Sequence, residues 1–129
     1  MKNVLPLVVD VTDPSPGLGW RLRERRPLTE RGRPDLTLAL ALVHHVSISG
    51  NVPIDEFVGW LHGLGGEIVV EFPTREDPMV QRLLSRKRPG DHPDYNREWF
   101  EQCLRERFDA VATEELAGGQ RVLYRARPR

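Results

Sequence analysis

Three stretches of this chain are too continuously apolar to lie half in water. Val4 to Val11 reads "VLPLVVDV", Asp35 to His45 reads "DLTLALALVHH", and Glu67 to Phe72 reads "EIVVEF". Apolar neighbours on both sides of such a run suit parallel strands covered on both faces. The pattern predicts strands over Val4–Val11, Leu36–His44 and Ile68–Phe72, with the second placed centrally.

Between these runs the period changes. Ile54, Phe57, Val58, Leu61 and Leu64 fall on one face of a helix over 54–64, opened by Pro53 and Asp55 and ended by Gly65-Gly66. Asp77-Pro78 is a good cap and first-turn pair for "MVQRLLSRK". Asn96 can cap "REWFEQCLRERF", with Trp99, Phe100, Cys103, Leu104 and Phe108 inward. "RLRERRPLTERGRPD" is helix-prone but interrupted by Pro27, Gly32 and Pro34. Two strand-like runs around Ala117-Gly118-Gly119 predict a C-terminal antiparallel hairpin from about Ala110 to Ala126. Alternating strands and helices predict an α/β fold: a mostly parallel sheet, helices on both faces, and the hairpin at one edge.

Composition narrows the partners. The 129 residues suit one domain, and 39% hydrophobic residues is ordinary for a soluble one. Nineteen basic side chains balance nineteen acidic ones, so no broad cationic field is expected to draw nucleic acid or an anionic membrane. One cysteine excludes an internal disulfide and fits a cytoplasmic location. No apolar run reaches the roughly 20 residues of a membrane-spanning helix.

Ligands of open α/β sheets bind beyond the carboxyl ends of the strands. Those ends carry Asp10, then His44-His45, then Glu71. Polar strand ends also arise simply where strands emerge into water. Adjacent strand residues face opposite ways, so the two histidines are not expected to grip one metal. Cys103, His62 and His92 lie in other elements, and no metal site is expected. Arg75 and Asp77 are further polar candidates, with Asp77 read first as a helix cap. The arginines at 21, 23, 25 and 26 read as a solvated face. Ser47 and Ser49 lack a Gly-x-Ser-x-Gly nucleophile elbow, which sets a hydrolase aside.

"PLVVDVTDPSPGLGW", "RGRPDLTLALALVHHVSISGNVP" and "VEFPTREDPMVQRLL", in this order, resemble the C-terminal half of class I S-adenosylmethionine-dependent methyltransferases. The resemblance is narrowest to those related to the nodulation protein NoeA, and it covers almost the whole chain. It implies a partial Rossmann-like fold in which Val4–Val11 is the family's third strand and Asp35–His45 its fourth. The family's glycine-rich turn and ribose-binding acid have no counterpart here. "GLGW" at 17–20 is preceded by Pro14 and Pro16 and lacks a further glycine in register.

The resemblance further implies site roles. Asp10 and Val11 would hold the adenine ring, Leu42 and His45 would line the cofactor pocket, and His44, His45 and Glu71 would serve catalysis. The cofactor implied is S-adenosylmethionine, bound weakly or not at all by this chain alone. The expected partners are the missing N-terminal half or a second copy in a homodimer, and a methyl acceptor the sequence does not identify. Two functions stay open: a fragment or subunit of a methyltransferase, and a non-enzymatic interaction module keeping the half-fold.

Overall fold

A strand persists only where its backbone groups find a partner, and that condition decides which apolar runs become strands. The computed structural model describes residues 3–129. It divides into two units, one ending at Gly32 and the other spanning Arg33–Arg129.

In the first unit Val4–Val11 is not a strand. Its backbone joins no ladder beyond one isolated bridge of Asp10 with Asp13, and Val4, Leu5, Leu7 and Val8 are exposed. Pro6 removes one donor from the run. Only local structure forms beyond it. Leu18 and Arg25 exchange backbone hydrogen bonds of 3.0 and 2.9 Å. The helix-prone arginine stretch yields two single 3₁₀ turns, Trp20–Leu22 and Leu28–Glu30. Pro27 and Gly32 allow nothing longer.

The second unit holds a four-stranded sheet. β1 (Leu36–Ala39), β2 (Glu67–Pro73), β3 (Phe108–Leu116) and β4 (Arg121–Pro128) lie in the order β1-β2-β4-β3. Only β1 and β2 pair in parallel; β4 is antiparallel to both β2 and β3. The expected mostly parallel sheet is therefore corrected to one with two antiparallel pairings out of three. The physical reason is the tight Ala117–Gly119 turn, which returns β4 directly against its own partner. The expected hairpin is present.

β1 stops well short of the histidines. Ala41 takes a left-handed backbone (φ 52°), which breaks the ladder. The chain then coils: Val46 N–H donates to Leu42 O at 3.1 Å, and Gly50 N–H donates to His45 O at 3.0 Å. This π-helical turn, His45–Ser49, buries Val46, Ser47 and Ile48. His44 and His45 thus stand on a helical turn, not at a strand end.

The helices follow their caps. α1 (Ile54–Gly63) starts after Pro53, and its first N–H is received by Asp94 Oδ2 at 2.9 Å. Gly65 and Gly66 end it with φ of 80° and 74°; a Cβ on Gly66 would collide with the carbonyls of Pro34 and Asp35. α2 (Pro78–Leu84) is capped by Asp77, and α3 (Arg97–Arg107) by Asn96 Oδ1, which accepts from Trp99 N–H at 2.8 Å.

The core lies on one side of the sheet. Ile68, Val70 and Phe72 of β2 and Val122, Tyr124 and Ala126 of β4 are buried there. Phe72 stacks on Phe100 of α3 at 4.6 Å and on Tyr95 at 4.8 Å, and Phe100 meets Tyr124 at 5.4 Å. α1 buries Phe57, Val58 and Leu61 and packs chiefly on α3. The opposite face is charged and partly open. Glu67 pairs there with Arg125 and Arg127, and Leu38 is 61% exposed. α3 packs on the aromatic side, while Asp77 at the start of α2 is tied to Arg121 on the other. No helix among the described residues is long and apolar enough to cross a membrane.

Candidate functional site

The parallel pair β1–β2, connected through α1, delivers its carboxyl ends to one edge of the sheet. Glu71 sits near the end of β2 with its side chain on the face opposite the aromatic core. Its Oε1 accepts the Ala41 N–H at 3.0 Å and Arg121 Nη1 at 2.8 Å. The carboxylate therefore holds the left-handed corner after β1 in place.

Arg121, at the start of β4, spans two acids. Its Nε donates to Asp77 Oδ2 at 2.8 Å while Nη1 holds Glu71. Asp77 Oδ1 meanwhile accepts from Met79 N–H at 2.9 Å. Burial alone would raise the Asp77 carboxyl, but the Arg121 guanidinium and the helix N–H groups outweigh it and hold the group low. Asp77 is both the expected cap and one arm of an ion-pair bridge between β2, α2 and β4. Arg121 escaped the sequence reading because an arginine in an alternating hairpin strand looks like any solvent-facing residue.

His44 lies beside this bridge. It is buried, its Nδ1 has no partner among the described residues, and its ring stands 4.1 Å from that of His45. Burial first, then the neighbouring His45 and Arg121, push its pKa down to about 4, against the opposing pull of Asp77 and Glu71. At neutral pH it is an uncharged base. The expectation that the two histidines point to opposite faces fails, because a helical turn sets neighbours about 100° apart rather than 180°. His45 itself is exposed, and Leu42 is half-buried with its carbonyl capping the turn.

Asp10 and Val11 belong to the first unit. Asp10 is exposed and uses Oδ1 locally, accepting from Thr12 Oγ1 at 2.7 Å and Thr12 N–H at 2.9 Å. Those two bonds hold its carboxyl below the usual range. It is a turn residue rather than the end of a strand. Arg75 clamps the loop before α3: its Nε donates to Tyr95 O at 2.7 Å and its Nη2 to His92 O at 2.6 Å.

A cleft of about 490 Å³ opens between the π-helical turn and this loop, bordered by Ser47, Asn51, Asp55, His92, Asp94 and Trp99. Nothing in the sequence brings these positions together, because the loop at 92–95 is joined to the start of α1 only through folding. Among the described residues no group of three or more His, Cys, Asp or Glu could hold a metal ion.

Comparison with known proteins gives one informative result. Over 123 residues, 95% of its length, the chain is 39% identical to the nodulation protein NoeA of Rhizobium meliloti (strain 1021). It spans 26% of that protein, about a quarter. No family model matches the chain. No solved structure matches it.

Proposed function

We propose that this chain is the C-terminal part of an S-adenosylmethionine-dependent methyltransferase domain of the NoeA-related kind, supplying its acceptor side. The observation that carries this reading is the β1–α1–β2 unit. Its carboxyl ends gather Glu71, the Ala41 corner and the uncharged His44, while β4 closes the sheet antiparallel beside β2. The similarity to NoeA along almost the whole chain supports it.

The cofactor supplies an activated methyl group, so the protein's tasks are alignment and proton removal. His44 is the base: neutral at pH 7, buried, with an Nδ1 that has no partner among the described residues. Glu71, braced by Arg121, positions the corner that carries it. Leu42 and the exposed His45 border the cofactor side. The residues present fit the cofactor only in part, because the chain offers no glycine-rich turn and no ribose-binding acid.

Titration of S-adenosylmethionine into this chain is therefore expected to show weak binding or none. A longer protein that contains it binds the cofactor and loses methyl transfer on His44→Gln. A micromolar dissociation constant for the chain by itself overturns the division of labour.

A second reading, an interaction module without catalysis, draws on Leu36, Leu38 and Leu40. All three are exposed, two of them on the four-residue β1, which pairs with β2 alone among the described residues. Such an edge accepts another strand, from the rest of a methyltransferase or from a second copy. A longer protein that binds no cofactor at all selects this reading.

A further inference from the structure

We propose that the cleft between the π-helical turn and the 92–95 loop is a binding site for an uncharged, hydroxyl-bearing ring of the sugar type. The proposal rests on the methyltransferase reading only in calling that ring an acceptor; binding itself is independent of it.

The cleft is built rather than accidental. One wall, the loop carrying His92 and Asp94, is tied down twice: Arg75 holds its carbonyls, and Asp94 Oδ2 receives the first N–H of α1. The other wall is the π-helical turn, a distortion of the kind that recurs at functional sites. Its volume falls within the roughly 300–1,000 Å³ of small-molecule sites.

The chemistry of the lining selects the ligand class. Both carboxylates at the cleft already accept a hydrogen bond from the protein. Asp55 Oδ1 is bound by Arg107 Nη1 at 2.8 Å, and Asp94 sits at the N-terminus of α1. The two carboxylates disfavour an anion and suit the O–H donors of a hydroxyl-bearing ligand. What remains is hydrogen-bonding capacity. Asp94 keeps its Oδ1, which has no partner among the described residues. Asn51, whose Oδ1 accepts from Lys87, keeps its amide N–H donors. Ser47 is 97% buried, and its Oγ has no partner among the described residues. An unpaired buried hydroxyl costs free energy that a ligand can restore.

The half-buried Trp99 lines the cleft with Pro53 and Pro93, an apolar patch beside polar groups, so the complementary ligand has hydroxyls on its rim and C–H groups on one face.

The test is titration of the chain with methyl β-glucoside, with choline chloride and inorganic phosphate as competing chemistries, followed by amide NMR shifts. The glucoside is expected to bind, with shifts confined to residues 47–55 and 92–99. Trp99→Leu is expected to weaken it about tenfold. Ser47→Ala is expected to leave the fold at least as stable and to weaken the glucoside about fivefold, a pairing that a structural hydroxyl would not give. Binding of choline or phosphate without the glucoside overturns the proposal. So does no binding of any, or glucoside binding that both variants leave unaltered. Because no methyl donor is present, these outcomes are separate from those that test methyl transfer.

Discussion

His44 ties burial to pH. Its folded pKa lies near 4 against an ordinary value of 6.5, so between those values the unfolded chain binds a proton that the native one refuses. Stability from this residue is complete above pH 6.5 and is lost as pH falls toward 4. The expected slope there is about 1.4 kcal/mol per pH unit at its steepest. Urea denaturation across that range checks it, and His44→Gln should flatten the curve; an equal slope in both proteins refutes the assignment. Arg121 is the second decisive residue. Arg121→Met leaves Glu71 and Asp77 facing each other without their cation and is expected to cost about 2–4 kcal/mol. A loss below that in thermal melts would mean that solvent replaces the guanidinium. Neither role was legible in the sequence. His44 stood out as a residue, but apart from His45 the charged groups that act on it, Glu71, Asp77 and Arg121, lie far along the chain.

At the scale of elements, caps carried the most readable information. Asp77 and Asn96 were legible as the starts of α2 and α3, since a short acceptor before an apolar period serves the same N–H groups wherever it occurs. Asn96→Ala is expected to destabilise by about 1 kcal/mol through the loss of its bond to Trp99 N–H, measured as a shift in the denaturation midpoint. Asp77→Ala should cost more, because it removes the cap and one arm of the Arg121 bridge together. Equal costs for the two would separate the bridge from stability. The apolar runs were less faithful. Leu36 to Val43 has the composition of a long strand, yet only four residues pair before Ala41 turns and the chain coils. Hydrophobicity states that a segment seeks burial, not whether a ladder or a helix face will provide it.

For the whole molecule, the open question is what covers β1. Exposed Leu36 and Leu38 on an edge strand favour association, and light scattering at rising concentration should show it. Leu38→Lys is expected to suppress the association without unfolding the chain; a clean monomer before substitution refutes it. The sequence by itself determined the elements whose causes are local: α1 from its apolar face, α2 and α3 from their caps, and the β3–β4 hairpin from its glycine turn. It also determined that Glu71 and the histidines are polar groups at the edge of the apolar runs. Tertiary structure alone decided the rest. Whether Val4–Val11 is a strand, that β4 lies between β2 and β3, that His44 is buried uncharged beside Arg121, and that Ser47 and Trp99 border one cleft all depend on contacts between distant segments. Local propensity is written in neighbouring residues, whereas a ladder partner or a shared desolvated pocket exists only once the chain has closed on itself.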